Sequence, residues 1–210
     1  LSVGGLSNLI EDLRECTRLG RAVWLGEWFL LFTFTASIFD EHGDRAQVAH
    51  SIGNMGVIYV EIGDYERALE YYFRALAMQE ELENKIWIAQ LTGNIGIVYQ
   101  EIGEYSQALE YYLQSLALYK EFGERQGIAR LLGSIGGIYT LRQEYATALE
   151  YFEESKALHT QLGSMAPLAT NIGNIGSIYT SLGEYDRALE YMEQSLKIKD
   201  RKSTRLNSSH

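Results

Sequence analysis

The sequence predicts an all-α fold, a solenoid built from antiparallel helix pairs, and three observations support this prediction. A forty-residue motif occurs four times with no gap between copies, and a fixed period of this length is typical of stacked repeats. Within each copy, apolar residues recur at spacings of three and four, as in an amphipathic helix. The chain has 210 residues, 46% of them apolar, and a single proline, which indicates a folded and mainly helical protein.

Each copy is predicted to contain a first helix, a turn and a second helix. In the second copy the first helix is predicted over residues 85–102 and the second over residues 105–122. Gly103 is expected in the turn and Gly123 at the end of the second helix, because glycine takes the left-handed conformation that ends helices. Pro167 fits the start of a helix, where the missing N–H has no intrahelical partner.

The four copies are assigned to residues 45–84, 85–124, 125–164 and 165–199. Residues 1–44 match the motif poorly, and we predict a degenerate or truncated N-terminal repeat there. The apolar stretch 22–39 has about the length of a membrane span, but its likeness to a second helix of the repeat favours the repeat. Residues 200–210 resemble a translated sequencing adapter, so we predict a non-native tail. We expect the native protein to continue, since the fourth copy lacks a polar capping helix.

Two glycines in each first helix need a physical reason, because each costs ~1 kcal/mol relative to alanine in a helix interior. We expect them to permit a close approach of the second helix, whose matching small residues are Ala68, Ala108, Ala148 and Ala188. One turn departs from the pattern. Gln143 stands where the other copies have glycine, and a left-handed conformation there costs about 1 kcal/mol or more.

The joint spacing of small and aromatic residues resembles the tetratricopeptide repeat. In the second copy it reads Gly96, Tyr99, Ala108, Tyr112 and Ser115, and the other copies agree except that Met192 replaces an aromatic residue. The resemblance covers residues 45–199 and implies a right-handed, tetratricopeptide-like superhelix. The period of forty exceeds the family's usual period of about 34 residues, and the family's helix-terminal proline is absent. The residues of the motif, Asn-x-Gly together with Gly-Glu-Tyr-x-x-Ala-Leu-Glu-Tyr, are also similar to those of repeat arrays in bacterial signalling proteins.

Charge and residue types exclude several functional classes. The net charge of −10 argues against binding to nucleic acid, which needs a basic surface. Cys16 is the only cysteine, so no internal disulfide and no zinc site are expected, and a cytoplasmic location fits. The carboxylates at positions 70, 110, 150 and 190 repeat in register, as on a solvated helix face. We therefore expect no catalytic residue, no metal and no cofactor, and hence no enzyme.

The candidate binding residues occupy one face of the first helices. Asn54, Asn94 and Asn174 precede the small glycine by two positions, and Ser134 takes this place in the third copy. The resemblance implies that this position lines a concave groove, where an amide holds the main chain of an extended peptide. The alternative is that these asparagines bond neighbouring helices or cap backbone groups. The same face also carries polar residues on one side and apolar residues on the other, namely His50, Gln90, Arg130, Thr170, Val57 and Ile97.

The leading prediction is a non-catalytic repeat scaffold that binds a protein or an extended peptide, with neither nucleic acid nor a membrane as partner. One alternative is the sensory segment of a bacterial signalling protein whose cyclase, kinase or regulator output domain is missing. Another is a structural array that self-associates through uncapped ends. A clamp for carboxylates is not favoured, because Arg130 is the main cation on the predicted face.

Overall fold

The computed structural model describes residues 44–207, with side chains over residues 44–199. This part of the chain contains eight helices and no strand, which confirms the all-α prediction. The helices are α1 (Arg45–Ile62), α2 (Tyr65–Glu81), α3 (Lys85–Glu101), α4 (Tyr105–Phe122), α5 (Arg125–Leu141), α6 (Tyr145–Leu162), α7 (Met165–Ser181) and α8 (Tyr185–Asn207). The predicted degenerate repeat at residues 1–44, with Cys16 and the apolar stretch 22–39, falls outside the described residues except for residue 44.

The helices agree with the sequence pattern in detail. The two helices predicted in the second copy are confirmed as α3 and α4, and α3 ends one residue before the predicted position. Pro167 lies in the first turn of α7, as expected. The last helix, α8, continues to Asn207 and so includes residues 200–207 of the tail that is predicted to be non-native. No helix among the described residues has both the length and the apolar character that crossing a bilayer requires.

The chain divides into two compact units between Tyr111 and Tyr112, within α4. In the first unit α1 packs against α2, and α2 packs against α3. Its core contains fully buried aromatic and aliphatic side chains such as Tyr59 and Ile95. In the second unit α5 packs against α6, α6 against α7, and α7 against α8. Phe152 and Ile175 are fully buried there.

The turns use the left-handed conformation that the sequence predicts. Gly63, Gly103 and Gly183 have φ values of 78°, 85° and 77°, and Gln143 has 60°, which confirms the expected left-handed turn at that residue. Glu83 also lies in this region, with φ of 53°. The left-handed conformation of Glu83 was not predicted, although Glu83 occupies the register position of Gly123 and Gly163.

A close approach of the second helix is confirmed at Gly56, Gly136 and Gly176, but the nearest group is a large side chain and not the expected alanine. A Cβ on Gly56 would lie 2.6 Å from the ring of Tyr72, and one on Gly136 would lie 3.2 Å from the ring of Phe152. At Gly176, where Met192 replaces the aromatic residue, the nearest atoms include Met192 Cγ at 3.2 Å and the carbonyl oxygen of Ala188 at 3.3 Å. These three glycines therefore make room for the large side chain of the second helix, whereas Gly53 and Gly133 lie nearest to a side chain of the next first helix, Leu91 or Asn171.

Tyrosines link the two helices of each copy. The first-helix tyrosine stacks on a second-helix tyrosine, with ring centroids 5.1–5.5 Å apart, in the pairs Tyr59–Tyr71, Tyr99–Tyr111, Tyr139–Tyr151 and Tyr179–Tyr191. Offset stacking of this kind adds to the area buried by the rings. These contacts hold each first helix, which carries the predicted binding residues, against the second helix of its copy.

Candidate functional site

The predicted binding residues all lie on the first helices of the copies. α1 carries His50, Asn54 and Val57, α3 carries Gln90, Asn94 and Ile97, α5 carries Arg130 and Ser134, and α7 carries Thr170 and Asn174. Spacings of three and four place each set along one face of its helix.

Five of these residues come together in the first unit, where they line a cleft between α1 and α3. They are His50, Asn54, Val57, Gln90 and Asn94, and the remaining lining residues are Ala49, Gly53, Trp87 and Leu91. The cleft contains about 290 Å³ of space, including the solvent at its mouth. Ile97 is half-buried on α3 and does not line the cleft.

Small and aliphatic residues form the apolar base of the cleft. Ala49 is fully buried and Leu91 is 3% exposed. A Cβ on Gly53 would lie 3.1 Å from Leu91 Cδ2, so the absence of a side chain at Gly53 leaves room for Leu91 of α3. The base is therefore closed, and the polar groups of the cleft lie above it on the same two helices.

The asparagine side chains of the cleft are not used to hold the helices together. Asn54 and Asn94 are half-buried and Gln90 is exposed. Within residues 44–207, none of the three side-chain amides has a hydrogen-bond partner. The alternative that Asn54 and Asn94 bond neighbouring helices has no support in this part of the chain. Each amide retains a donor and an acceptor for another molecule.

One wall of the cleft is aromatic. The rings of His50 and Trp87 have centroids 4.0 Å apart and an interplanar angle of 48°. Burial lowers the pKa of His50, because the charged form of the imidazole loses solvation, so His50 is neutral at pH 7. Trp87, which lies seven residues before Asn94, was not among the predicted binding residues. Extending the predicted face by one helical turn would have included it.

The predicted residues of the second unit lie on α5 and α7. Arg130 is exposed and Ser134 is half-buried on α5. On α7 the hydroxyl of Thr170 is exposed and donates to the carbonyl oxygen of Ala166 at 3.1 Å. Asn174 is half-buried, and its side chain has no hydrogen-bond partner among the described residues.

A second asparagine of α7 has a structural role that was not predicted from the sequence. Asn171 is 6% exposed and donates to Ser155 Oγ at 2.6 Å, and Ser155 in turn donates to the carbonyl oxygen of Ala129 at 2.6 Å. The helices α5, α6 and α7 are thus joined by a buried chain of hydrogen bonds. In the described part of the protein, no group of three His, Cys, Asp or Glu side chains is placed to hold a metal ion.

Comparison with protein families gives one match over most of the chain. A model of the tetratricopeptide repeat matches residues 40–121 and 127–201, and the chain therefore belongs to the tetratricopeptide repeat family. A comparison with curated protein sequences gives no significant match.

Solved structures with the same fold include bacterial and fungal proteins. Aspartyl phosphate phosphatase F from Bacillus subtilis is 19% identical with a TM-score of 0.79, over 93% of this chain and 50% of that one. The kinesin light chain repeats from Podosopora anserina are 16% identical with a TM-score of 0.67, and the match covers 95% of this chain and 96% of that one. The Rap conjugation gene regulator of plasmid pLS20, in complex with the Phr* peptide, is 14% identical with a TM-score of 0.66. That match covers 85% of this chain and 56% of that one. At these identities the likeness is one of fold.

Proposed function

We propose that this tetratricopeptide-repeat chain is a non-catalytic scaffold that binds an extended segment of a protein or peptide along the first helices of its copies. The observation that carries the proposal is the cleft between α1 and α3, where Asn54 and Asn94 present amides with no partner among the described residues. An extended peptide has one main-chain donor and one acceptor per residue. Amides that recur with the repeat can bind this main chain without reading its sequence.

Two further observations support a peptide as the ligand. Asn174 repeats the position of Asn54 and Asn94 in the second unit and is likewise without a partner among the described residues. The pLS20 regulator, which has the same fold, was solved in complex with a peptide. The proposed surface in the second unit also includes Ser134, Arg130 and Thr170.

The charge of the chain defines the class of peptide. No lining residue of the cleft carries a formal charge when His50 is neutral, whereas the chain as a whole is at −10. We expect neutral or basic peptides to bind better than acidic ones, because an acidic peptide is repelled by the overall charge. Since few charges lie at the site, we expect binding to depend weakly on salt.

The test is a peptide-library screen at two salt concentrations, followed by calorimetry of a triple variant, Asn54→Ala, Asn94→Ala and Asn174→Ala. Each hydrogen bond between neutral groups contributes ~0.5–1.5 kcal/mol net, so we expect the variant to lose a few kcal/mol of binding free energy. Gln107→Ala is the matched control, because it removes an exposed amide from α4. Unchanged affinity in a triple variant with normal helical content would place the binding surface elsewhere, and a preference for acidic peptides would instead indicate a cationic clamp around Arg130.

A second candidate function is self-association, which an exposed apolar stripe on α8 favours. Tyr185, Leu189 and Leu196 lie on one side of this helix and are 69%, 60% and 58% exposed. We expect charged substitutions at Leu189 and Leu196 to reduce any concentration-dependent increase in size measured by sedimentation. A size that does not change with concentration would exclude this candidate. The sensory role in a signalling protein stays a prediction, and a neighbouring output domain in the coding sequence would test it.

A further inference from the structure

We propose that the His50–Trp87 pair determines the specificity of the cleft by binding a basic side chain, lysine or arginine, of the bound peptide. This inference rests on the proposed function, because it names the peptide residue that the cleft prefers. The asparagines then hold the main chain, and Trp87 selects the side chain.

The position of Trp87 brings a ring and two amides into one site. Trp87 lines the same cleft as Asn54 and Asn94 and is half-buried, so part of its indole remains accessible. His50 packs against the indole with a centroid distance of 4.0 Å, and this contact fixes the orientation of the ring. A peptide whose main chain lies on the two amides therefore has a side chain within the same cleft as the indole.

The electrostatics of the cleft favour a cation there. An indole face carries negative potential and is the strongest aromatic partner for ammonium or guanidinium groups. A basic side chain meets no positive charge among the lining residues, because His50 is neutral at pH 7. The excess of 28 acidic over 18 basic residues also attracts cations to the protein. A carboxylate would face both the indole and this net negative charge.

The shape of the cleft agrees with a long basic side chain. Its base is closed by Leu91 and Ala49, and its mouth is open to solvent. Lysine and arginine can lay their methylene groups on an apolar surface while the charged end remains hydrated. The protein already uses this chemistry internally, since the guanidinium of Arg67 lies 4.9 Å from the ring centroid of Tyr59 and that of Arg187 lies 5.4 Å from the centroid of Tyr179.

The experiment uses the full chain and a peptide from the screen in which a lysine is replaced by norleucine, which keeps the methylene stem and removes the charge. For the unmodified protein we expect lysine to bind about two- to fivefold more tightly than norleucine, as for a partly exposed cation–π contact. In Trp87→Leu we expect this ratio to fall to about one, and in Trp87→Phe to an intermediate value. Phe73→Leu is the control, because it removes an exposed aromatic residue from α2 in the same unit, and its ratio should be unchanged.

The outcomes separate this inference from the proposed function. A ratio unchanged in both Trp87→Leu and Trp87→Phe, or norleucine binding more tightly than lysine to the unmodified protein, would overturn the inference while the asparagine variants still test the groove. If circular dichroism shows that Trp87→Leu is unfolded, the test rests on Trp87→Phe alone. Its lysine-to-norleucine affinity ratio must still be lower than that of the unmodified protein. The asparagine triple variant should weaken both peptides equally, and failure of the unmodified protein to bind any peptide would overturn both proposals.

Discussion

Equivalent three-helix junctions in the two units are built with opposite chemistry. In the first unit the junction consists of Gly53 on α1, Ala75 on α2 and Leu91 on α3. A Cβ on Gly53 would lie 3.1 Å from Leu91 Cδ2 and 3.7 Å from the Cβ of Ala75. Ala75 is fully buried and Leu91 nearly so. This junction is therefore apolar throughout and is stabilised by packing.

In the second unit the junction consists of Gly133 on α5, Ser155 on α6 and Asn171 on α7. A Cβ on Gly133 would lie 3.1 Å from Asn171 Oδ1 and 3.4 Å from Ser155 Oγ. The two polar side chains are buried and hydrogen-bonded to each other. The repeat therefore accommodates either chemistry at this junction, provided that glycine leaves the space and every buried polar group there has a partner.

Leu91→Asn is expected to have the largest effect, because it introduces the polar residue without its serine. The change removes a buried leucine, which contributes about 1.5–3 kcal/mol, and leaves an amide beside the methyl group of Ala75, which costs about 1–3 kcal/mol. We expect the free energy of unfolding to fall by about 3 kcal/mol or more in denaturant titration. Adding Ala75→Ser should recover about 1 kcal/mol, and no recovery would show that the two junctions are not interchangeable.

Gly56→Ala tests whether space at the first-helix glycines is required. The new Cβ would lie 2.6 Å from the ring of Tyr72, and overpacking of this kind costs about 1–3 kcal/mol. Gly137→Ala is the control, since nothing lies within 4 Å of its Cβ position and helix propensity predicts a gain of up to ~1 kcal/mol. Thermal or urea unfolding of both variants measures the difference, and the same sign in both would contradict the packing argument.

Asn171→Leu tests the polar junction from the opposite direction. Alone it removes the hydrogen bond to Ser155, and we expect a loss of about 1 kcal/mol. Combined with Ser155→Ala it recreates the apolar junction of the first unit, and we expect stability within about 1 kcal/mol of the unmodified protein. Asn174→Ala serves as the control on the same helix and should change stability by less than about 0.5 kcal/mol. If the double variant is less stable than Asn171→Leu alone, the junctions of the two units are not equivalent.

Gln143→Gly is expected to have the smallest effect and involves the backbone alone. Gln143 has φ of 60°, and glycine removes the steric cost of a Cβ in this region, although it gains entropy in the unfolded chain. We expect an increase in unfolding free energy of up to about 1 kcal/mol, and the same direction for Glu83→Gly. Gln143→Ala retains the Cβ and should show no gain. If Gln143→Gly and Gln143→Ala are equally stable, a Cβ in this left-handed turn has no measurable steric cost.

Much of the fold was predictable from local features of the sequence. The period of forty, the helices predicted over residues 85–102 and 105–122, and the left-handed turn at Gln143 follow from spacing and from the backbone preferences of glycine. Glu83 could have been predicted too, from its register with Gly123. These features depend on residues near each other in the chain, so the sequence contains the information directly.

The candidate site was predictable only in part. The first-helix face and its asparagines follow from the repeat, but their hydrogen bonding does not. Asn171 and Asn174 are the same residue type on the same helix, yet among the described residues only the side chain of Asn171 has a hydrogen-bond partner. Trp87 joined the cleft because α3 packs beside α1 and brings its indole against His50.

The repeat, the helices and their turns are thus encoded locally, since they depend on periodicity and on the conformational preference of single residues. Three features depend on how the helices pack: which amides lack a partner among the described residues, which ring forms the wall of the cleft, and whether a junction is polar or apolar. They do so because a side chain's partner belongs to another helix. Its identity depends on how closely the two helices approach, which the spacing within one helix does not specify.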